Sequence, residues 1–201
     1  MKIKIAYYLS PLSLIILMGS CSPKFISTNY YYQNEKVLDS IEQSYKKLYQ
    51  QKSFALGFTN KDFKMVSINI ITDTLTYIYE FEVNEPRMTD TLVKYKMPAK
   101  GITDLVNSMQ SIHCTWINNL DYYVDEEKKS VIFISIRPMG LQAPLSYKKY
   151  YILTYFAQKQ YFDNEGRLLT NRKLRRLNKI NGEVFKRIND RVCYTVSTTF
   201  R

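Results

Sequence analysis

Apolar residues along this 201-residue chain keep two rhythms, spacings of three and four in a few stretches and alternation in many more. Between Lys36 and Gln51, Leu38, Ile41, Tyr45 and Leu48 fall on one face of a helix, with Asn34 placed to cap it. Phe54–Phe58 reads as a short strand. Residues 63–71 and 75–83, rich in β-branched and aromatic side chains and separated by Thr72-Asp73-Thr74, read as a hairpin. In its second strand Leu75, Tyr77, Tyr79, Phe81 and Val83 alternate with Thr76, Ile78, Glu80 and Glu82, which predicts one buried face. Residues 84–99 contain Pro86 and Pro98 and read as a loop or irregular edge, with Leu92–Met97 able to pair. A second helix is expected over Ile102–Gln110, then a hairpin over Ile112–Arg137 turning at Asp125–Lys129, with Val131–Ile136 as its strongest strand. Lys149–Phe162 predicts a long strand, Asp163-Asn164-Glu165-Gly166 a tight turn, and Arg167–Thr170 a returning strand. A basic helix from Arg172 to about Asn189, capped by Asn171, and a last strand over Val192–Phe200 complete the pattern. The expected fold is α+β, helices laid on a mostly antiparallel sheet of about six to eight strands.

The N-terminus follows neither rhythm. Lys2 and Lys4 precede an apolar run from Ile5 to Met18. That run is too short for a membrane-spanning helix, which needs roughly 20 residues. It ends in Leu17-Met18-Gly19-Ser20-Cys21. Charged start, short apolar stretch and small residues before a cysteine resemble the signal of a bacterial lipoprotein. The resemblance covers about the first tenth of the chain. It implies that residues 1–20 are a signal peptide and that Cys21 becomes the acylated first residue of the mature protein, carrying palmitate-like chains. Residues 21–34 would then be a lipidated tether and 35–201 a single domain. Two or three acyl chains hold a protein stably at a membrane, where one does so only marginally. No acidic residue stands in Ser22-Pro23-Lys24-Phe25. Retention and surface-export signals of the acidic kind are therefore missing, and the expected location is the periplasmic face of the outer membrane.

The signal takes two lysines and no acid, leaving +9 of the chain's +11 for the mature protein. Between Tyr147 and Arg191 stand twelve Lys or Arg against four acids, so this stretch carries +8 of that charge. A basic patch is the footprint of an anionic partner. In an envelope the candidates are an anionic polymer or headgroup surface, or an acidic protein. The signal argues against nucleic acid. Arg172, Lys173, Arg175, Arg176 and Lys179 are the residues expected to make such a contact, the plainer account being a solvated helix face. Cys114 and Cys193 remain beyond the anchor. In an oxidising compartment they read as one disulfide, with two buried thiols as the alternative.

Candidate chemistry is sparse. The single histidine, His113, adjoins Cys114. If both lie in a strand their side chains point to opposite faces and form no dyad. One histidine and two distant cysteines do not make a zinc site, and no phosphate-cradling glycine loop or nucleophile elbow is present. No metal and no cofactor is expected. Paired carboxylates could run glycan hydrolysis, the candidates being Glu80, Glu82, Asp121, Asp125, Glu126 and Glu127. Trp116, Tyr122 and Tyr123, and Tyr147, Tyr150, Tyr151, Tyr155 and Tyr161, offer flat amphipathic surface for sugars or proteins, or simply fit a half-buried sheet. The leading expectation is therefore a non-catalytic, membrane-anchored envelope module that binds a partner. The alternatives are an envelope glycan hydrolase and a carrier of a lipid or apolar ligand, which would need a large internal apolar pocket.

Overall fold

A computed structural model describes residues 22–124, 127–136, 149–169 and 185–197. Cys21 and the basic run Arg172, Lys173, Arg175, Arg176 and Lys179 lie outside the described residues. The element order is α1 (Pro23–Gln51), β1 (Phe54–Phe58), β2 (Met65–Ile71), β3 (Thr76–Glu82), α2 (Pro86–Lys94), α3 (Ala99–Ser111), β4 (Cys114–Val124), β5 (Glu127–Ile136), β6 (Tyr150–Phe156), β7 (Lys186–Arg187) and β8 (Val192–Ser197). Among the described residues the strands form one eight-stranded sheet in the order β3-β2-β1-β4-β5-β6-β8-β7, antiparallel at every pairing. The α+β architecture read from the sequence is the one found.

Its two faces are covered differently. On one, Leu38, Ile41, Tyr45 and Leu48 of α1 and Ile102, Leu105, Val106 and Met109 of α3 pack onto Leu56, Ile68, Ile117, Ile134 and Leu153 in one continuous core. Gly101 lets the two helices close up. A Cβ there would stand 2.9 Å from Leu48 Cδ2. On the other face Val131, Phe133, Ile152 and Phe156 meet Leu168, Phe185 and Cys193 in a smaller cluster. Strands β5 and β6 are thus buried on both sides, which is why Val131–Ile134 reads as an unbroken apolar run.

Five departures from the sequence reading have physical causes. Residues 22–34 are not a tether but the first turns of α1. The helix is capped by Ser22, whose Oγ accepts from Phe25 N at 3.2 Å, and not by Asn34, and Pro23 takes the first turn, where its missing N–H costs nothing. Tyr31 is 2% exposed, and Tyr30 Oη donates to Ile112 O at 2.5 Å, so this part of the helix is seated on the domain. Residues 84–99 hold α2, because Pro86 sits at a helix start instead of blocking a strand. β3 is an edge strand with little covering it. Leu75 is 57% exposed and of the expected buried stripe Phe81 alone is fully inside. The long strand expected to reach Phe162 stops at Phe156, and Phe162 returns as an isolated bridge to Leu168. The basic helix expected to run to about Asn189 is contradicted at its described end, where Lys186–Arg187 are β7. The expected turn at Asp163–Gly166 is present, with Gly166 at φ +71°.

The disulfide expectation is also overturned. Cys114 and Cys193 are free and buried. They lie on opposite faces of the sheet, Cys114 in the helix-covered core and Cys193 in the smaller cluster. β5 and β6 stand between their strands. The register carries Cys193 through Thr154 and Phe133 to Asn118, not to Cys114. Three strand spacings alone are about 14 Å, twice the roughly 7 Å reach of a disulfide between Cα atoms.

Candidate functional site

A polar cleft of about 560 Å³ opens between α1 and the segment that carries β7 into β8. One wall is α1. Tyr31, Glu35, Asp39 and Glu42 project from it at helical spacing, so the acids form an edge along the apolar stripe of Leu38, Ile41 and Tyr45. The other wall is Lys159, Arg187, Asn189, Asp190 and Arg191, with Tyr155 of β6 at the base. The turn before β8 is fixed by Asn189, whose Oδ1 accepts from Arg191 N and Val192 N, each at 2.8 Å. Its Nδ2 donates to Tyr31 Oη at 3.0 Å, and that hydroxyl donates to Glu35 Oε1 at 3.3 Å, tying the two walls together.

The cleft's charges are unevenly matched. Arg187 Nη2 pairs with Asp190 Oδ1 at 2.6 Å, and Lys159 Nζ stands 3.8 Å from Asp190 Oδ2. Arg191 lies 4.0 Å from Glu42 and donates from Nε to Phe156 O. Each base therefore faces an acid, whereas Asp39 has no hydrogen bond or ion pair among the described residues. Burial, then Glu35, pushes its carboxyl above the ordinary range, with Arg191 pulling the other way. Tyr155 is 4% exposed and its hydroxyl has no hydrogen-bond partner among the described residues. Burial is the main reason its phenol is driven far up, followed by the charges of Tyr31 and Asp39. Tyr31 is raised to about 12, first by burial. Both phenols are neutral at physiological pH, so they serve as hydrogen-bond donors and acceptors and not as bases.

The residues singled out from the sequence lie elsewhere. His113 is in the turn before β4, not in a strand, with φ +57° and its ring edge-on to Phe63 at 5.1 Å. Cys114 and Cys193 are held protonated, each pushed up to about 12 by burial. Glu80 and Glu82 are exposed on edge strand β3, with β2 and β1 between them and Asp121 on β4, so these acids do not share a cleft. Asp121 accepts from Asn119 at 2.6 Å and pairs with Lys128 at 2.8 Å. It lines a smaller polar cleft of about 330 Å³ with Lys46, Tyr49 and Lys129. Asp125, Glu126 and Tyr147, and the side chains of Tyr123 and Glu127, lie outside the described residues. Trp116 and Tyr122 pack against the smaller cluster, Tyr151 and Tyr155 are core, and Tyr161 is 80% exposed. The sequence reading did not single out Glu35, Asp39 and Glu42, although their helical spacing beside the apolar stripe is a signal that points to them. What the sequence hid is that Tyr155 and the Asn189 turn stand opposite them.

Among the described residues no group of three or more His, Cys, Asp or Glu side chains is arranged to hold a metal ion, and no helix is long and apolar enough to cross a membrane. No protein-family model, curated protein or solved structure matches the chain.

Proposed function

We propose that this chain is a non-catalytic envelope lipoprotein, anchored through an acylated Cys21 at the periplasmic face of the outer membrane, whose α+β domain is a binding module. The anchor rests on Leu17-Met18-Gly19-Ser20-Cys21. The binding half rests on one observation: the cleft between α1 and the β7–β8 turn holds a buried Tyr155 hydroxyl and an Asp39 carboxylate that the domain itself leaves unserved. Buried polar groups are nearly always hydrogen-bonded, and exceptions collect where a fold is built for something besides stability. The cleft's volume falls in the range of small-molecule sites, about 300–1,000 Å³. The second surface proposed for a partner is the basic run Arg172, Lys173, Arg175, Arg176 and Lys179, suited to an anionic polymer or an acidic protein.

The test is acylation and fractionation of the wild type and of Cys21→Ala. Uptake of labelled palmitate and co-fractionation with the outer membrane, both lost in Cys21→Ala, is the expected result. A wild type that takes up no label removes the anchor from the proposal.

The Asp39 carboxyl, raised by burial and by Glu35 beside it, favours one other reading, a glycan hydrolase with Asp39 and Glu35 of this cleft as its paired carboxylates. Release of soluble fragments from peptidoglycan by the wild type, abolished in Asp39→Asn, would select it over the binding module.

A further inference from the structure

The unmet groups of the cleft specify what they lack. Asp39 is an acceptor in need of a donor, and it lies in the part of the cleft where Glu35 adds a second negative charge. Tyr155 is 4% exposed, and its Oη is neutral and without a hydrogen-bond partner among the described residues. The bases across the cleft already face Asp190 and Glu42. An anion entering here would have to displace those acids, whereas a cation would meet the Asp39 carboxylate, the Glu35 oxygen that Tyr31 does not use and an acceptor hydroxyl. A bare metal ion fits poorly, because the described acids are not grouped to ligate one. A primary ammonium fits the inventory. It carries three N–H donors, matching the three acceptors Asp39, Glu35 and Tyr155 that line the cleft.

We propose that the cleft between α1 and the β7–β8 turn is a recognition site for a primary ammonium group, with Asp39 and Glu35 supplying charge and the buried Tyr155 hydroxyl supplying the selecting hydrogen bond. This gives a ligand class to the cleft on which the binding half of the function reading rests, and it does not depend on the anchor. Loss of acylation at Cys21 leaves the titration below untouched, and failure of the titration leaves the anchor standing. The ammonium has two natural sources, a free small amine or the headgroup of an aminophospholipid, which presents the same ammonium next to a phosphate. In the second case the phosphate has to compete with Asp190 and Glu42 for Lys159 and Arg191.

The experiment is calorimetric titration of the full chain in a non-ionic detergent with three probes: n-butylamine, phosphoethanolamine and tetramethylammonium. The two primary amines are expected to bind. Tetramethylammonium, equal in charge and without N–H donors, is expected to bind at least about tenfold more weakly, the worth of hydrogen bonds to a charged group. Phosphoethanolamine binding tighter than n-butylamine assigns the site to a headgroup, and the reverse order assigns it to a free amine. Asp39→Asn is expected to weaken the amines by more than about tenfold, and Tyr155→Phe by about three- to tenfold. Glu80→Gln, on the far edge of the sheet, serves as the control and should bind as the wild type does. Thermal melts of each variant check that it is folded. The proposal is overturned if neither amine binds at millimolar concentration. It is equally overturned if tetramethylammonium binds as well as n-butylamine, or if folded Asp39→Asn and Tyr155→Phe bind amines like the wild type.

Discussion

Tyr45 and Tyr155 are both buried tyrosines facing α1 or carried by it, and they differ in one atom's fate. Tyr45 Oη donates to Phe54 O at 2.6 Å, fixing the helix against the start of β1. Tyr155 Oη is orphaned. Removing a satisfied buried hydroxyl strands its partner, whereas removing an orphan relieves a desolvated group. Tyr45→Phe should therefore cost about 1–2 kcal/mol in urea denaturation, while Tyr155→Phe should be neutral or stabilising by up to about 1 kcal/mol. A Tyr155→Phe variant as destabilised as Tyr45→Phe would mean that the hydroxyl is served in solution. Asp39 obeys the same logic through charge. Its folded carboxyl titrates above the unfolded one, so the fold disfavours the ionised form. That penalty is fully present above the folded pKa and disappears as pH falls below the unfolded value. Asp39→Asn should accordingly raise the melting temperature at neutral pH, with the gain fading in acid. Because the side chain is partly solvated, the effect is expected to stay below about 1 kcal/mol. The two cysteines make a plainer case. With both thiols buried on opposite faces, a reductant should leave the melting temperature unchanged. A thiol reagent should label neither Cys114 nor Cys193 until denaturant is added. A mobility shift between reduced and oxidised monomer on a denaturing gel would contradict this arrangement.

Elements were legible where one rule governed them and illegible where context overrode it. Leu38, Ile41, Tyr45 and Leu48 gave α1 its apolar face at helical spacing, and all four are buried. Residues 22–34 escaped that reading because tyrosines carry the pattern there. Ile26, Tyr30 and Tyr31 continue the same stripe, but the tyrosine hydroxyls make the segment look polar. Strand β3 failed in the opposite sense. Leu75, Tyr77 and Tyr79 alternate as a buried strand would, yet β3 is at the sheet's edge and little packs over it beyond α2, whose Tyr95 end meets Tyr79 at 2.6 Å between hydroxyls. Alternation reports a pleated surface, not what covers it. The site was half visible for the same reason. The acids of α1 follow from helical spacing, but their opposite wall comes from residues about 150 positions later, a pairing that only topology supplies. The helical status of residues 22–34 is testable through Tyr31. In a tether, Tyr31→Ala would change nothing. As a 2% exposed core residue joined to Asn189 and Glu35, it should lose about 3–5 kcal/mol in a urea melt.

At the scale of the whole molecule the charge is more instructive than the fold. The stretch from Tyr147 to Arg191 holds +8 of the chain's +11, but its described members are largely spoken for. Arg167 pairs with Asp163 and Glu165, Arg187 and Lys159 with Asp190, and Arg191 faces Glu42. Those pairs stabilise turns and the cleft wall, and they offer little net positive potential to a distant partner. An anionic partner drawn to this chain must then be met chiefly by Arg172, Lys173, Arg175, Arg176 and Lys179. Reversing three of them, Arg172→Glu, Arg175→Glu and Lys179→Glu, changes the net charge by six and should leave the cleft and the Cys21 anchor as they are. Attraction between solvated charges is screened beyond about 10 Å at 0.1 M salt and about 3 Å at 1 M. In a Cys21→Ala background, which removes the proposed anchor, retention on envelope fragments should therefore fall about tenfold at low ionic strength on charge reversal, and the difference should vanish near 1 M salt. Equal retention at low salt, with the melt unchanged, would remove the basic run from the binding account and leave the acid-lined cleft as the recognition surface that account rests on.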